Sequence, residues 1–113
     1  MNIAVAKIDG VMLLELPGRA LDASNAREFK SITTPLLGPG ARLVIDMGKL
    51  EFVDSTGLGA LVSCLRQAHS ASGEIKLCGL TKPVRALFEL VRMHRVFEIF
   101  NTPDEAKKSY TAG

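Results

Sequence analysis

The apolar run Leu43-Val44-Ile45, the polar turn after it and the helical pattern that follows constrain this chain more than any other stretch. An unbroken apolar run suits a strand covered on both faces, as in a parallel sheet. Leu58, Leu61, Val62 and Leu65 then repeat with the period of a helix. Between strand and helix stands Leu50-Glu51-Phe52-Val53-Asp54-Ser55-Thr56-Gly57-Leu58-Gly59. Asp54, Ser55 and Thr56 fall where the first N–H groups of a helix lack intrahelical acceptors, and each side chain can accept from them. Gly57 and Gly59 remove bulk, so the helix start can be approached closely. A hydroxyl on such a knob is open to another protein's active site.

The rest of the chain fits around this unit. Ile3 to Ile8 and Val11 to Leu16 are apolar segments separated by Asp9-Gly10, a two-residue hairpin signal. Pro17-Gly18-Arg19 ends that pair, and Asp22, Ser24 or Asn25 can cap a helix carrying Ala26, Phe29, Ile32 and Leu36 on one side. Asn25 and Glu28 have the spacing of a capping box. Gly38-Pro39-Gly40 closes the helix, and Arg42 to Asp46 is the next, central strand. After the second helix, Ser72-Gly73 is a stop and Glu74 to Cys78 a strand. Thr81-Lys82-Pro83 opens a third helix with the stripe Val84, Leu87, Phe88 and Val91. Phe97 to Phe100 reads as a last strand, and Thr102-Pro103-Asp104-Glu105 starts a final helix. The expectation is an α/β fold of order ββαβαβαβα: a mixed sheet with helices packed on it, in one domain over residues 1–113.

Composition narrows the function. Apolar residues make up 47% and charged residues 23% of 113, which supports one core without disulfide or metal staples. A net charge of +2 is too mild to demand a nucleic-acid or membrane partner. The first residues lack the basic start and apolar stretch of a signal peptide, and no apolar run reaches the ~20 residues of a membrane span, so a cytoplasmic chain without direct membrane contact is expected. Cys64 and Cys78 form no CxxC pair and are expected to pack as small apolar groups.

Several chemistries fit poorly. The nucleophile elbow needs Gly two residues before the Ser, where Val53 stands. His69 lies on the helix roughly 20 Å beyond Ser55 at 1.5 Å per residue, too far to act as its base, and only His94 remains. Gly57-Leu58-Gly59 lacks both the Lys-Ser/Thr ending of a P-loop and the third Gly of a dinucleotide fingerprint. Two histidines and two cysteines without ligand spacing give no metal site. No enzyme activity, cofactor or metal is therefore expected. Two readings of Asp54-Ser55-Thr56 stay open: a plain helix cap, or a hydroxyl that another protein modifies. Arg85, Glu89 and Arg92 line one side of the third helix, either as a solvated ion-pair face or as a partner contact, and Leu58 and Met93 are candidate docking residues.

Asp54-Ser55-Thr56-Gly57-Leu58-Gly59, with Phe52-Val53 before it, closely resembles the phosphorylation loop of the anti-sigma-factor antagonists, the small bacterial single-domain STAS proteins. The resemblance spans nearly the whole chain and implies the STAS fold. It implies that Ser55 is phosphorylated, with Thr56 the minor candidate, and that Asp54, Thr56, Gly57, Leu58 and Gly59 form the phosphosite loop and partner surface. Asp22, in Gly18-Arg19-Ala20-Leu21-Asp22, is similar to the family's Gly-x-Leu-Asp loop with one residue more between Gly and Leu; the alternative for Asp22 is a helix cap. The partners implied are an anti-sigma factor that is itself a GHKL-type serine kinase, using its own ATP and magnesium, and a PP2C-type phosphatase. A STAS subunit of a membrane transport or stress-sensing assembly is the alternative function.

Overall fold

The computed structural model describes residues 1–111. In chain order the elements are β1 (Ala4–Ile8), β2 (Val11–Glu15), β3 (Ala20–Leu21), α1 (Ala26–Thr33), β4 (Arg42–Asp46), β5 (Phe52–Val53), α2 (Ser55–Ser70), β6 (Glu74–Cys78), α3 (Lys82–Leu90), β7 (Ile99–Phe100) and α4 (Pro103–Thr111). Five strands form a mixed sheet of order β1-β2-β4-β6-β7. β1 is antiparallel to β2, and the remaining pairings in this sheet are parallel. The hairpin turn has Asp9 at φ 52° and Gly10 at φ 79°, the two positive values that a tight turn of matching twist requires.

β4 is central, and its run of apolar residues is explained by cover on both faces. Leu43 and Ile45 join a large core with Phe29, Leu61, Leu65, Val84 and Phe88 of the first three helices. Val44 faces the other way, into a smaller cluster with Val11, Cys78 and Ala106 of α4. The second cluster also holds a charge. Lys76 is buried, donates to Ser109 Oγ at 2.7 Å and sits 4.1 Å from the centre of the Tyr110 ring, so its ammonium is satisfied by a hydroxyl and a π face. Tyr110 in turn donates its hydroxyl to the Leu43 and Glu74 carbonyls, which fastens α4 to the sheet.

Several local expectations differ from the structure. Two short strands escaped the sequence reading: β3 and β5 make a separate parallel pair, with Leu21 opposite Val53. α1 stops at Thr33, and Thr34–Leu36 is a 3₁₀ turn, because Pro35 cannot continue the hydrogen-bond ladder; Leu36 is not on the helix. No capping box forms. Asn25 bonds backwards, accepting from the Asp22 N–H and donating to the Ala20 carbonyl, while Glu28 takes the terminal ammonium at 2.9 Å. In α3, Val84 and Phe88 are buried, but the helix ends at Leu90 and leaves Val91 exposed. The last strand is only Ile99–Phe100, because Phe97 drops into the core instead of extending the ladder. Thr102 caps α4 as expected, accepting from the Glu105 N–H at 3.1 Å. Among the described residues no helix is long and apolar enough to cross a membrane.

Cys64 and Cys78 are free and buried. Burial pushes the Cys64 thiol up to about 11 from its usual 9.0. Burial, then the nearby Asp46 carboxylate, takes Cys78 to about 12. An unfolded chain loses these protons near 9.0 while the fold keeps them, so this contribution to stability is complete below pH 9 and declines as pH rises toward 11 and beyond. Native protein at neutral pH should therefore resist thiol alkylation that the urea-unfolded chain undergoes fully, and the urea midpoint should fall between pH 9 and pH 11. Labelling of either thiol in the native protein at neutral pH would contradict this packing.

Candidate functional site: a hydroxyl at the head of the second helix

α2 begins at Ser55, and Asp54 is its N-cap, with extended backbone (φ −96°, ψ −177°). The Asp54 carboxylate is committed on both oxygens. Oδ1 accepts from the Gly57 N–H at 2.8 Å, and Oδ2 accepts from the Ala23 N–H at 3.1 Å. The second bond ties the loop after β3 to the helix start. The Asp54 N–H donates to the Leu21 carbonyl, and the Glu51 and Phe52 N–H groups both donate to the Arg19 carbonyl, so the β3 and β5 segments brace each other along their length. On the far side, the Thr81 hydroxyl donates to the Leu50 carbonyl at 2.6 Å and anchors the start of α3 to the same loop.

Ser55 and Thr56 are exposed. The Ser55 hydroxyl makes no hydrogen bond among the described residues and has no adjacent base. His69 is paired with Glu74 at 2.9 Å near the other end of α2, and His94 is exposed in the turn Met93–Arg95 with no hydrogen bond to the site. The arrangement offers an alcohol to an outside reagent and does not activate it from within.

The two glycines differ in what they permit. Gly57 is buried, and a Cβ on it would overlap the Leu21 carbonyl oxygen, with the carbonyl carbon 2.8 Å away. Its missing side chain lets β3 lie directly on the helix. Gly59 is exposed, and a Cβ there would meet nothing within 4 Å. A glycine in a helix interior costs about 1 kcal/mol relative to alanine, and at Gly59 no packing offsets it.

Asp22 is brought to this end of the fold, one residue beyond the Leu21–Val53 register pair. Its carboxylate accepts from the Ser24 hydroxyl and the Ser24 N–H, and these bonds, the side-chain one first, hold it below the usual carboxylate range. It is not the α1 cap: Asn25 holds that position. Among the described residues no hydrogen bond joins Asp22 to Ser55. Leu58, expected on the partner surface, is half-buried and packs on the core, as does Met93, because both fall on inward faces of their turns. Arg85 is half-buried, and Glu89 and Arg92 are exposed, with no ion pair among the described residues joining the three.

Three features were missed in the sequence. Phe52 is 55% exposed beside the Asp54–Gly59 segment, and the alternation with buried Val53 was the available signal. Arg27 and Lys30 of α1 line a groove with Thr56 and Gly59, and nothing local in the sequence connects those two segments. The Leu21 approach to Gly57 is likewise a contact across the fold.

Comparison with known proteins identifies the family and the fold. Residues 2–106 match the STAS domain family. BtrV of Bordetella bronchiseptica, provisionally named an anti-sigma factor antagonist, is 28% identical over 111 residues, covering 97% of this chain and 95% of that protein. The anti-sigma-B factor antagonist of Staphylococcus aureus is 25% identical over 83 residues, covering 73% and 77%. A Thermotoga maritima crystal structure, also provisionally described as an anti-sigma factor antagonist, superposes with a TM-score of 0.85 at 26% identity, covering 95% of this chain and 92% of that one. With the family match spanning almost the whole chain and the same mixed sheet and helices in its structural relatives, this chain belongs to the STAS domain family.

Proposed function

We infer that the chain is an anti-sigma-factor antagonist working in a partner-switching circuit. The unphosphorylated form binds an anti-sigma factor that is a GHKL-type serine kinase, frees the sigma factor and so permits transcription. The kinase phosphorylates Ser55 and ends the binding, and a PP2C-type phosphatase restores it. The protein is substrate and ligand in the cytoplasm, without catalysis of its own.

One observation carries this reading: the exposed Ser55 hydroxyl occupies the first helical position while Asp54 beside it is committed to capping. A phosphate there meets the positive end of the helix dipole and finds its anionic neighbour already engaged by two N–H groups. The relatives named as antagonists, aligned over most of their length, support the same role. The alternative, a STAS subunit of a membrane assembly, has no observation at this site in its favour.

The test uses the full chain with a GHKL-type anti-sigma kinase from the same genome and magnesium ATP. Mass spectrometry should find a single phosphate on Ser55, none on Ser55→Ala, and continued modification of Thr56→Ala. A phosphate on Ser55→Ala, or none on the wild type, would remove the assignment.

A further inference from the structure

Three features that each weaken the isolated fold meet in one place. Gly59 lies inside α2 with empty space where its side chain would be. Arg27 stands at the second position of α1, where the helix dipole disfavours a cation. Lys30 follows one turn later, a like charge at the i, i+3 spacing that brings side chains together. Neither cation has an ion-pair partner among the described residues, and both line an open groove of about 270 Å³ between α1 and α2, with Thr56 and Gly59 on the opposite wall.

We propose that this groove seats an acidic segment of the protein partner that acts at Ser55, with Arg27 and Lys30 pairing its carboxylates and Gly59 letting its backbone come against α2. This rests on the switch reading above and adds the chemistry of the contact. Arg27 and Lys30, one helical turn apart, match two carboxylates one turn apart on a partner helix. A protein segment is favoured over a nucleotide because no aromatic side chain lines the groove to stack on a base. The groove is lined by Thr56, the residue that follows Ser55 in α2, so an occupied groove lies one residue along the helix from the hydroxyl to be modified.

The test is a titration of the ¹⁵N-labelled full chain, followed by amide chemical shifts, with a helical peptide carrying glutamates one turn apart and with its glutamine counterpart. The glutamate peptide should move the amides of Arg27, Lys30, Thr56 and Gly59, and the glutamine peptide should not. Arg27→Glu with Lys30→Glu should weaken peptide binding by at least about tenfold. Gly59→Gln should weaken it similarly while leaving the thermal midpoint unchanged or higher, which separates a blocked groove from a damaged fold. Equal shifts around Arg85, Arg92 and Arg95, or variants that bind within about twofold of wild type, would overturn the proposal. So would magnesium-free ATP moving the same four amides at lower concentration than the peptide. No kinase and no phosphorylated protein enter this experiment, so its failure leaves the Ser55 assignment standing, and failure of the kinase test leaves this one readable.

Discussion

Gly57→Ala is expected to destabilise the protein by about 2–3 kcal/mol, at the upper end of what overpacking by one methyl costs. The new Cβ meets the backbone of Leu21, which has no rotamer to escape into, so β3 must move off α2. That displacement strains the Asp54–Ala23 bond, the Asp54–Leu21 bond and the β3–β5 pair together. Alanine's better helix propensity returns at most about 1 kcal/mol. Urea unfolding with an unchanged m-value would measure the loss. Gly59→Ala, two residues on and facing open space, should be neutral or stabilising in the same assay. Equal stabilities for the two variants would mean that Leu21 does not lie on the helix as described.

Phosphorylation of Ser55 should lower affinity for the kinase partner about 100-fold, or about 2.7 kcal/mol, while leaving the fold intact. The dianion adds about −1.5 to −2 charge at the first position of α2, where the dipole is worth up to about 1 kcal/mol in its favour, so the urea midpoint should change little. The penalty falls on the partner, which must dock against a bulky anion where a neutral hydroxyl stood. Ser55→Ala should bind within a few fold of wild type, because the cap is Asp54 and not Ser55. Calorimetric titration at low and high salt would separate the repulsive part, which shrinks with screening, from the steric part, which does not. Equal affinity of phosphorylated and unmodified protein would end the charge-based switch.

Much of the site was legible in the chain because its determinants are local. The Asp54 cap, the helix from Ser55 and the buried run of β4 follow from residues within a turn or a strand of each other. Where a local expectation failed, a competing contact decided it, near in sequence for Asn25 and distant for Glu28. Asn25 had the side chain for a cap and bonded instead to Asp22 and Ala20; Glu28 had the spacing for a capping box and took the terminal ammonium. Leu58, a candidate docking residue, is half-buried against the core, and Phe52 stands exposed.

The amino-acid order alone determined the alternation of strands and helices, the cap that starts α2 and the presence of a hydroxyl at its head, since periodicity and capping act over a few residues. Only the folded chain decided that Leu21 rests on Gly57, that Asp54 spends its second oxygen on Ala23, and that Arg27 and Lys30 face Thr56 and Gly59 across a groove. Those pairings join residues about 30 positions apart, and their closeness comes from the packing of α1 against α2 and of β3 beside β5, which no local propensity encodes.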